Sequence, residues 1–173
     1  GIVRFAYSAR EMEFPAIIGC ELTIEDDSHL ILLVENEQGY KNLSYLLTQA
    51  RMQKTRGKPR VSYQHLEERA VGLIALSGCP NGRIPSALFL DQIAEAKEIA
   101  GRLKEIFPGR FYLEVWNHFL NQEAVISRRL LELSETMAIP WVVTNNVHYA
   151  NSEGRMVHDV LTCLKHDVTL ANA

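Results

Sequence analysis

The 173-residue sequence lacks the features of several large protein classes. It has no apolar run near the ~18 residues that a membrane span needs. Its formal net charge is only −3, so overall charge favours neither nucleic acid nor an anionic membrane. We therefore expect no membrane partner, and any phosphate binding must be local.

Cysteine is scarce, with only Cys20, Cys79 and Cys163. This odd number, without C-x-x-C spacing, argues against a disulfide framework and predicts reduced thiols in a cytoplasmic protein. Self-contained metal motifs such as H-E-x-x-H are also absent, as are sequence repeats and low-complexity segments. No local motif therefore identifies a function by itself.

What is present is an alternation of strand-like and helix-like segments, with apolar residues making up 47% of the chain. This alternation predicts an α/β fold with a mainly parallel sheet or barrel. The predicted strands span residues 16–24, 29–34, 71–76, 111–116 and 139–144, the first two as a hairpin. The predicted helices span residues 2–12, 36–50, 85–107 and 123–138, with a short helix capped by Ser62 and a last one that begins at Asn151 or Ser152.

The last two elements carry apolar patterns that predict burial. The strand at residues 139–144 is rich in β-branched and aromatic side chains. The final helix places Met156, Val157, Val160, Leu161 and Leu164 on one face, which we expect to be its buried side. Basic residues are concentrated only at 54–60, where a solvated connector is favoured over a phosphate-contacting loop.

Polar residues gather where predicted strands end, and ends of parallel strands meet at one edge. These residues are Glu21, His29, Ser77, Cys79, Glu114, His118, Asn145, Asn146 and His148. Glutamate, histidine and thiolate ligands together suit zinc better than magnesium. Spacing alone makes this a weak metal prediction.

Each candidate also has a purely structural interpretation. Cys79 in a Ser-Gly-Cys turn is typical of a small buried filler, and His29 is typical of a hydrogen-bonding edge residue. Glu114 lies between two apolar residues, so its burial would be costly unless it meets a cation or hydrogen-bond donors. Residue types alone therefore leave the metal site open.

Several phrases, in order along nearly the whole chain, resemble one family closely. They are residues 18–21, 29–33, 36–43, 76–79, 111–114, 144–149 and 158–163. The family is the polymerase-and-histidinol-phosphatase (PHP) domain of bacterial DNA polymerase III alpha subunits. The resemblance implies a distorted (β/α)7 TIM-like barrel with a metal cluster at its rim, which holds zinc or other divalent ions.

The resemblance also implies a ligand set. In the family, two early histidine motifs are followed by a Glu, a His, a Cys and a closing Asp-x-His. Glu21, His29, Cys79 and His148 match the later ligands, while Asn146 stands where metal-binding members carry Asp. A neutral amide compensates a cation less well than a carboxylate does. The early motifs have no counterpart, so we expect no complete catalytic cluster in this chain and leave catalytic residues unassigned.

From the same resemblance we expect residues 1–173 to be an N-terminally truncated PHP domain that polymerase domains would follow. The parent would be a DNA-directed DNA polymerase of DNA replication, with DNA and other replicase subunits as partners. Its PHP domain would be either a structural brace or a metal-dependent 3′–5′ exonuclease or phosphoesterase, and Asn146 favours the brace. The alternative is a free-standing PHP phosphoesterase of the histidinol-phosphatase type.

Overall fold

A computed structural model describes residues 1–52, 59–145 and 147–172. The basic stretch at 54–60 lies mostly outside these residues, and Asn146 lies wholly outside them. The helices are α1 Ile2–Glu11, α2 Glu37–Met52, α3 Tyr63–Arg69, α4 Arg83–Phe89, α5 Ile93–Ile106, α6 Asn121–Met137 and α7 Gly154–His166. The strands are β1 Gly19–Thr23, β2 His29–Val34, β3 Leu73–Leu76, β4 Phe111–Val115 and β5 Trp141–Val143.

The five strands form one sheet in the order in which they occur along the chain. β1 and β2 form the predicted antiparallel hairpin, and β2 is also antiparallel to β3. β3, β4 and β5 are mutually parallel neighbours, joined by helical crossovers. One end of the sheet therefore holds the C-terminal ends of β1, β3, β4 and β5 and the N-terminal end of β2. We call this end the site edge; it is distinct from the outer strands.

Two expectations about this sheet differ from the structure. The sheet is mixed rather than mainly parallel, because the hairpin adds two antiparallel ladders. In the part of the chain that the structure describes, the sheet is also open, since β1 and β5 are its two outer strands and do not pair. The α/β class is confirmed, but a closed barrel is not observed.

Side-chain caps explain where two of the helices begin. Ser62 caps α3 as predicted, because its hydroxyl accepts a hydrogen bond from the His65 amide at 3.2 Å. Asn36 does the same for the amide of Gly39 at 3.0 Å in α2. The single helix predicted over 85–107 is instead two helices. Asp91, between them, has a left-handed backbone (φ 62°), which aspartate tolerates better than most residues.

The core lies between the sheet and α2, α5 and α6. It includes Leu32 of β2, Leu46 of α2, Ala100 of α5, Leu113 of β4 and Leu130 of α6, all with 0% exposure. Gly39 brings α2 close to the turn before β3, since a Cβ there would lie 1.8 Å from the carbonyl oxygen of Gly72. Backbone contact therefore fixes α2 against the sheet.

The C-terminal elements are much less covered than their patterns predict. On the predicted buried face of α7, Leu161 is 59% exposed and Leu164 72%. In the strand expected to be buried, Trp141 is 51% exposed and Val143 68%, because β5 is an outer strand of the sheet. The burial prediction is wrong for this face of α7 and for most of the strand, in which Ile139 is buried as predicted, at 2% exposure. Both elements form. No helix in the described ranges is long and apolar enough to cross a membrane.

Candidate metal centre

The β1–β2 hairpin brings Glu21 and His29 together. Thr23 pairs with His29 and Glu21 with Ile31, so these four side chains share one face of the hairpin. Glu21 and His29 are diagonal neighbours on that face, within reach of long side chains. Oε1 of Glu21 lies 3.2 Å from Nδ1 of His29.

The loop after β3 brings Cys79 to the same histidine. Gly78 has φ +88°, and a Cβ at this position would lie 2.6 Å from the carbonyl oxygen of His29. Only glycine lets the loop approach β2 this closely. The His29 amide donates to the carbonyl oxygen of Asn81 at 3.1 Å. As a result, Sγ of Cys79 lies 3.4 Å from Nδ1 of His29.

Glu21, His29 and Cys79 form a compact group, which we call the trio. One ligand atom from each lies within 4.8 Å of the other two, and no other such group of three occurs in the described residues. Cys79 is buried at 8% exposure, whereas the side chain of Glu21 is 46% exposed. The trio therefore runs from the interior to an opening at the site edge.

The contacts within the trio suit a cation better than a nucleophile. Both Glu21 and Cys79 approach the same imidazole nitrogen, Nδ1. A relay that activates a thiol needs one partner on each ring nitrogen. Burial also raises the pKa of the Cys79 thiol; a hydrogen bond from the Asn81 amide opposes this, and Glu21 and the charge of Glu114 add smaller increases. A raised thiol pKa opposes attack by the thiolate and metal binding alike, so the choice between the two rests on the contacts at Nδ1.

The two separations from His29 Nδ1 match adjacent corners of a tetrahedral zinc site. Typical zinc–ligand bond lengths put neighbouring nitrogen and oxygen ligands about 3.3 Å apart, and nitrogen and sulfur about 3.5 Å apart. The observed separations are 3.2 and 3.4 Å. The residues present therefore fit a divalent ion.

Glu114, near the end of β4, is a buried carboxyl beside the trio, with 3% exposure. Its amide donates to Oγ of Ser77 at 2.8 Å, and its Oε1 accepts from the Thr144 hydroxyl at 2.5 Å. Burial raises the pKa of Glu114; the Thr144 hydroxyl opposes this and the charge of Glu21 adds to it. The sequence identified Glu114 as a residue needing partners, but it did not predict the bond to Thr144.

A second polar group lies along the site edge, after β4 and β5. Nδ1 of His118 lies 2.8 Å from Oε1 of Glu123, and Nε2 of His118 lies 3.1 Å from the carbonyl oxygen of Asn145. The hydrogen bond to Glu123 is the main cause that raises the pKa of His118. Burial raises the pKa of Glu123, but the hydrogen bonds and charge of His118, with a smaller backbone contribution from Leu120, together leave that pKa lowered.

The five predicted metal ligands are thus distributed unevenly. Glu21, His29 and Cys79 come together in the trio, whereas His148 lies outside it. His148 instead lines the groove of His118 and Glu123, and its ring centroid is 4.9 Å from that of His158. Asn146 falls outside the described residues. Metal ligation by the five residues stays a prediction.

Comparison with known proteins identifies the family. The family sequence model of the PHP domain matches residues 1–118 of the chain. The chain belongs to the PHP domain family. The resemblance inferred from the residues is therefore confirmed, and the trio lies within the matched segment.

Known relatives of this PHP domain bear the names of DNA polymerases. The chain is 40% identical over 181 residues to the error-prone DNA polymerase of Symbiobacterium thermophilum, with 95% of the chain and 17% of the relative covered. It is 38% identical to the DNA polymerase III subunit alpha of Treponema pallidum, with 86% and 14% covered. With the Thermus aquaticus subunit alpha it shares 32% identity, with 98% and 15% covered. The chain thus spans only 14–17% of these relatives.

Proposed function

We propose that this chain is the PHP domain of a bacterial DNA polymerase of the DNA polymerase III alpha or error-prone type, acting as a structural brace that binds one divalent cation at the trio. The relatives' names and their similarity over most of the chain support the parent. Primer extension, and contacts with DNA and other replicase subunits in the cytoplasm, would belong to the longer protein. Zinc is the favoured ion, because the trio mixes oxygen, nitrogen and sulfur ligands.

The observation that carries the brace is the small ligand set. Three ligand residues come together among the described residues, which is enough to hold one ion but too few for a multinuclear hydrolytic cluster. Bound zinc would supply folding energy or Lewis-acid polarisation of a phosphoryl oxygen. The neutral Asn146 and the position of His148 outside the trio do not favour a multinuclear hydrolytic cluster.

The barrel belongs to the same proposal. In the described residues the sheet is open, and its outer strand β5 exposes Trp141 and Val143. We expect residues outside this chain to pair with the free edges in the parent and to close a distorted (β/α)7 barrel. Residues 1–173 would then be an N-terminally truncated part of that domain.

Primer-mismatch excision by the complete protein tests the brace. We expect no excision by the wild type, and none by His29→Ala, because the brace needs no hydrolytic step. His29→Ala should lower the melting temperature, and zinc should raise the melting temperature of the wild type but not that of His29→Ala. His118→Ala is the matched control, since it removes an edge histidine outside the trio. Excision by the wild type that His29→Ala abolishes would contradict the brace and establish an exonuclease.

One other function retains support from the trio itself, which also suits hydrolysis of a small phosphate ester by a free-standing enzyme. The polymerase names of the relatives argue against it. The length of the reading frame distinguishes the two. A frame that continues far beyond Ala173 supports the polymerase, and a stop codon soon after supports the small phosphoesterase.

A further inference from the structure

Glu114 is a buried carboxyl without a cationic partner. It is 3% exposed, and no ion pair among the described residues includes it. Glu123 is almost as buried, at 6%, but it has His118 as its partner. Carboxylates are almost never fully buried unless they are paired. Of these two glutamates, therefore, only Glu114 lacks a positive partner for its ionised form.

The position of Glu114 is fixed from two sides. Its amide is bound by Ser77, which follows β3, and its Oε1 is bound by Thr144, which follows β5. Its other oxygen, Oε2, is buried and has no hydrogen-bond partner in the described residues. Because buried polar atoms are nearly always satisfied, an orphaned carboxylate oxygen requires an explanation such as an ion.

Glu114 is close to the trio. Ser77, which binds the Glu114 amide, is two residues before Cys79, and the Gly78 amide between them is near enough to lower the pKa of the Glu114 carboxyl. The charges of Glu21 and Glu114 act on one another and on Cys79. Glu114 is nevertheless not one of the three residues whose ligand atoms converge. It is a neighbour of the trio rather than a fourth corner.

We infer that Glu114 is the buried counter-charge of the cation site at Glu21, His29 and Cys79. It is a positioning residue: it helps to retain a divalent ion at the site but is not one of the three side-chain ligands. This inference rests on the proposed cation site. In a poorly solvated interior, a fixed carboxylate close to an ion acts strongly, because little water screens it. Residues that support metal ligands typically change metal affinity by about 10–100-fold when mutated.

Zinc affinity of the full chain, measured by competition with a chromophoric chelator, tests the inference. Glu114→Gln keeps the shape and removes the charge, so we expect zinc to bind about 10–100-fold more weakly. Glu123→Gln is the matched control, because it neutralises the other buried glutamate, and we expect the wild-type affinity. Equal affinity of Glu114→Gln and wild type would overturn the role of Glu114 alone. Failure of the wild type to bind zinc would overturn the trio site and this inference together.

A cobalt titration separates positioning from collapse of the site. We expect Co²⁺-loaded Glu114→Gln to keep the thiolate-to-cobalt charge-transfer band, because Cys79 still binds, but to reach it only at higher Co²⁺. Loss of the band in a folded Glu114→Gln protein would show a merely structural role and overturn the inference. Should Glu114→Gln not fold, Thr144→Val removes the partner of Oε1 and keeps the charge. We expect a smaller loss of affinity from it, and an unchanged affinity would likewise overturn the inference.

Discussion

Helices α5 and α7 have similar apolar patterns but opposite surroundings. In α5, Ala96, Ala100 and Leu103 are at most 3% exposed, packed in the core against the sheet and neighbouring helices. In α7, Leu161 and Leu164 are 59% and 72% exposed. An amphipathic pattern therefore predicts a helix and the face that needs covering, but not the element that covers it. The strands differ in the same way, since β2 and β3 are flanked on both sides whereas β5 is an outer strand.

The largest expected effect tests this contrast directly. Leu103→Ala in α5 should lower the free energy of unfolding by about 2–5 kcal/mol, because it leaves a cavity in the core. Leu161→Ala in α7 should change it by less than about 0.5 kcal/mol, as is usual for exposed sites. Urea denaturation of both variants measures the difference. A cost above about 1 kcal/mol for Leu161→Ala would mean that α7 is covered in solution.

A second comparison examines how tightly the packed helices fit. Gly39→Ala in α2 should cost about 1–3 kcal/mol, because its Cβ would meet the backbone of Gly72 at 1.8 Å. Gly101→Ala in α5 meets only the end of the Met137 side chain, at 3.8 Å. It should stabilise the protein by about 0.5–1 kcal/mol, the helix preference of alanine over glycine. Thermal or urea denaturation would contradict the packing if both variants behaved alike.

Zinc binding by the trio should depend on pH. The raised pKa keeps the Cys79 thiol protonated near neutral pH, and a bound ion must displace that proton. Zinc affinity should therefore rise about tenfold per pH unit between about pH 7 and pH 8.5. Chelator competition at several pH values measures the slope. Cys79→Ala should bind weakly with little slope, and a wild-type affinity independent of pH would contradict thiolate binding.

The smallest expected effect concerns the pair of His118 and Glu123, in the groove that His148 also lines. Because the pKa of His118 is raised, its contribution to the free energy of unfolding is complete below about pH 6.5. That contribution is lost as pH rises through the folded-state pKa. Because the pKa of Glu123 is lowered, its contribution to the free energy of unfolding is present above about pH 4.5 and is lost as pH falls through the folded-state pKa. Both groups are therefore charged and most stabilising between these values.

Glu123→Gln measures this contribution. Because His118 is partly exposed, solvent screens the pair, and we expect a loss of only about 0.2–1 kcal/mol, greatest between about pH 4.5 and 6.5. Urea denaturation of wild type and variant across pH gives the difference. If the difference in free energy of unfolding between wild type and variant grew toward alkaline pH, the charged pair would not be the cause of that difference.

Local features were predictable because they depend on neighbours in the sequence. The Ser62 cap and the β1–β2 hairpin are confirmed, since capping and short connections are local effects. The break at Asp91 was missed because apolar periodicity continues on both sides of it. Burial of α7 and closure of the barrel could not be predicted, because they depend on surfaces far along the chain or outside it.

By itself, the sequence determined the α/β class, most of the elements, the PHP family and the residue types that a cation site would need. Only the tertiary structure decided that Glu21, His29 and Cys79 converge on one nitrogen while His148 lies elsewhere. It likewise decided that Glu114 is buried without a positive partner. The physical reason is that periodicity and capping act over a few residues. Distances between side chains fifty or more positions apart, as for His29 and Cys79, are set by strand register and loop closure.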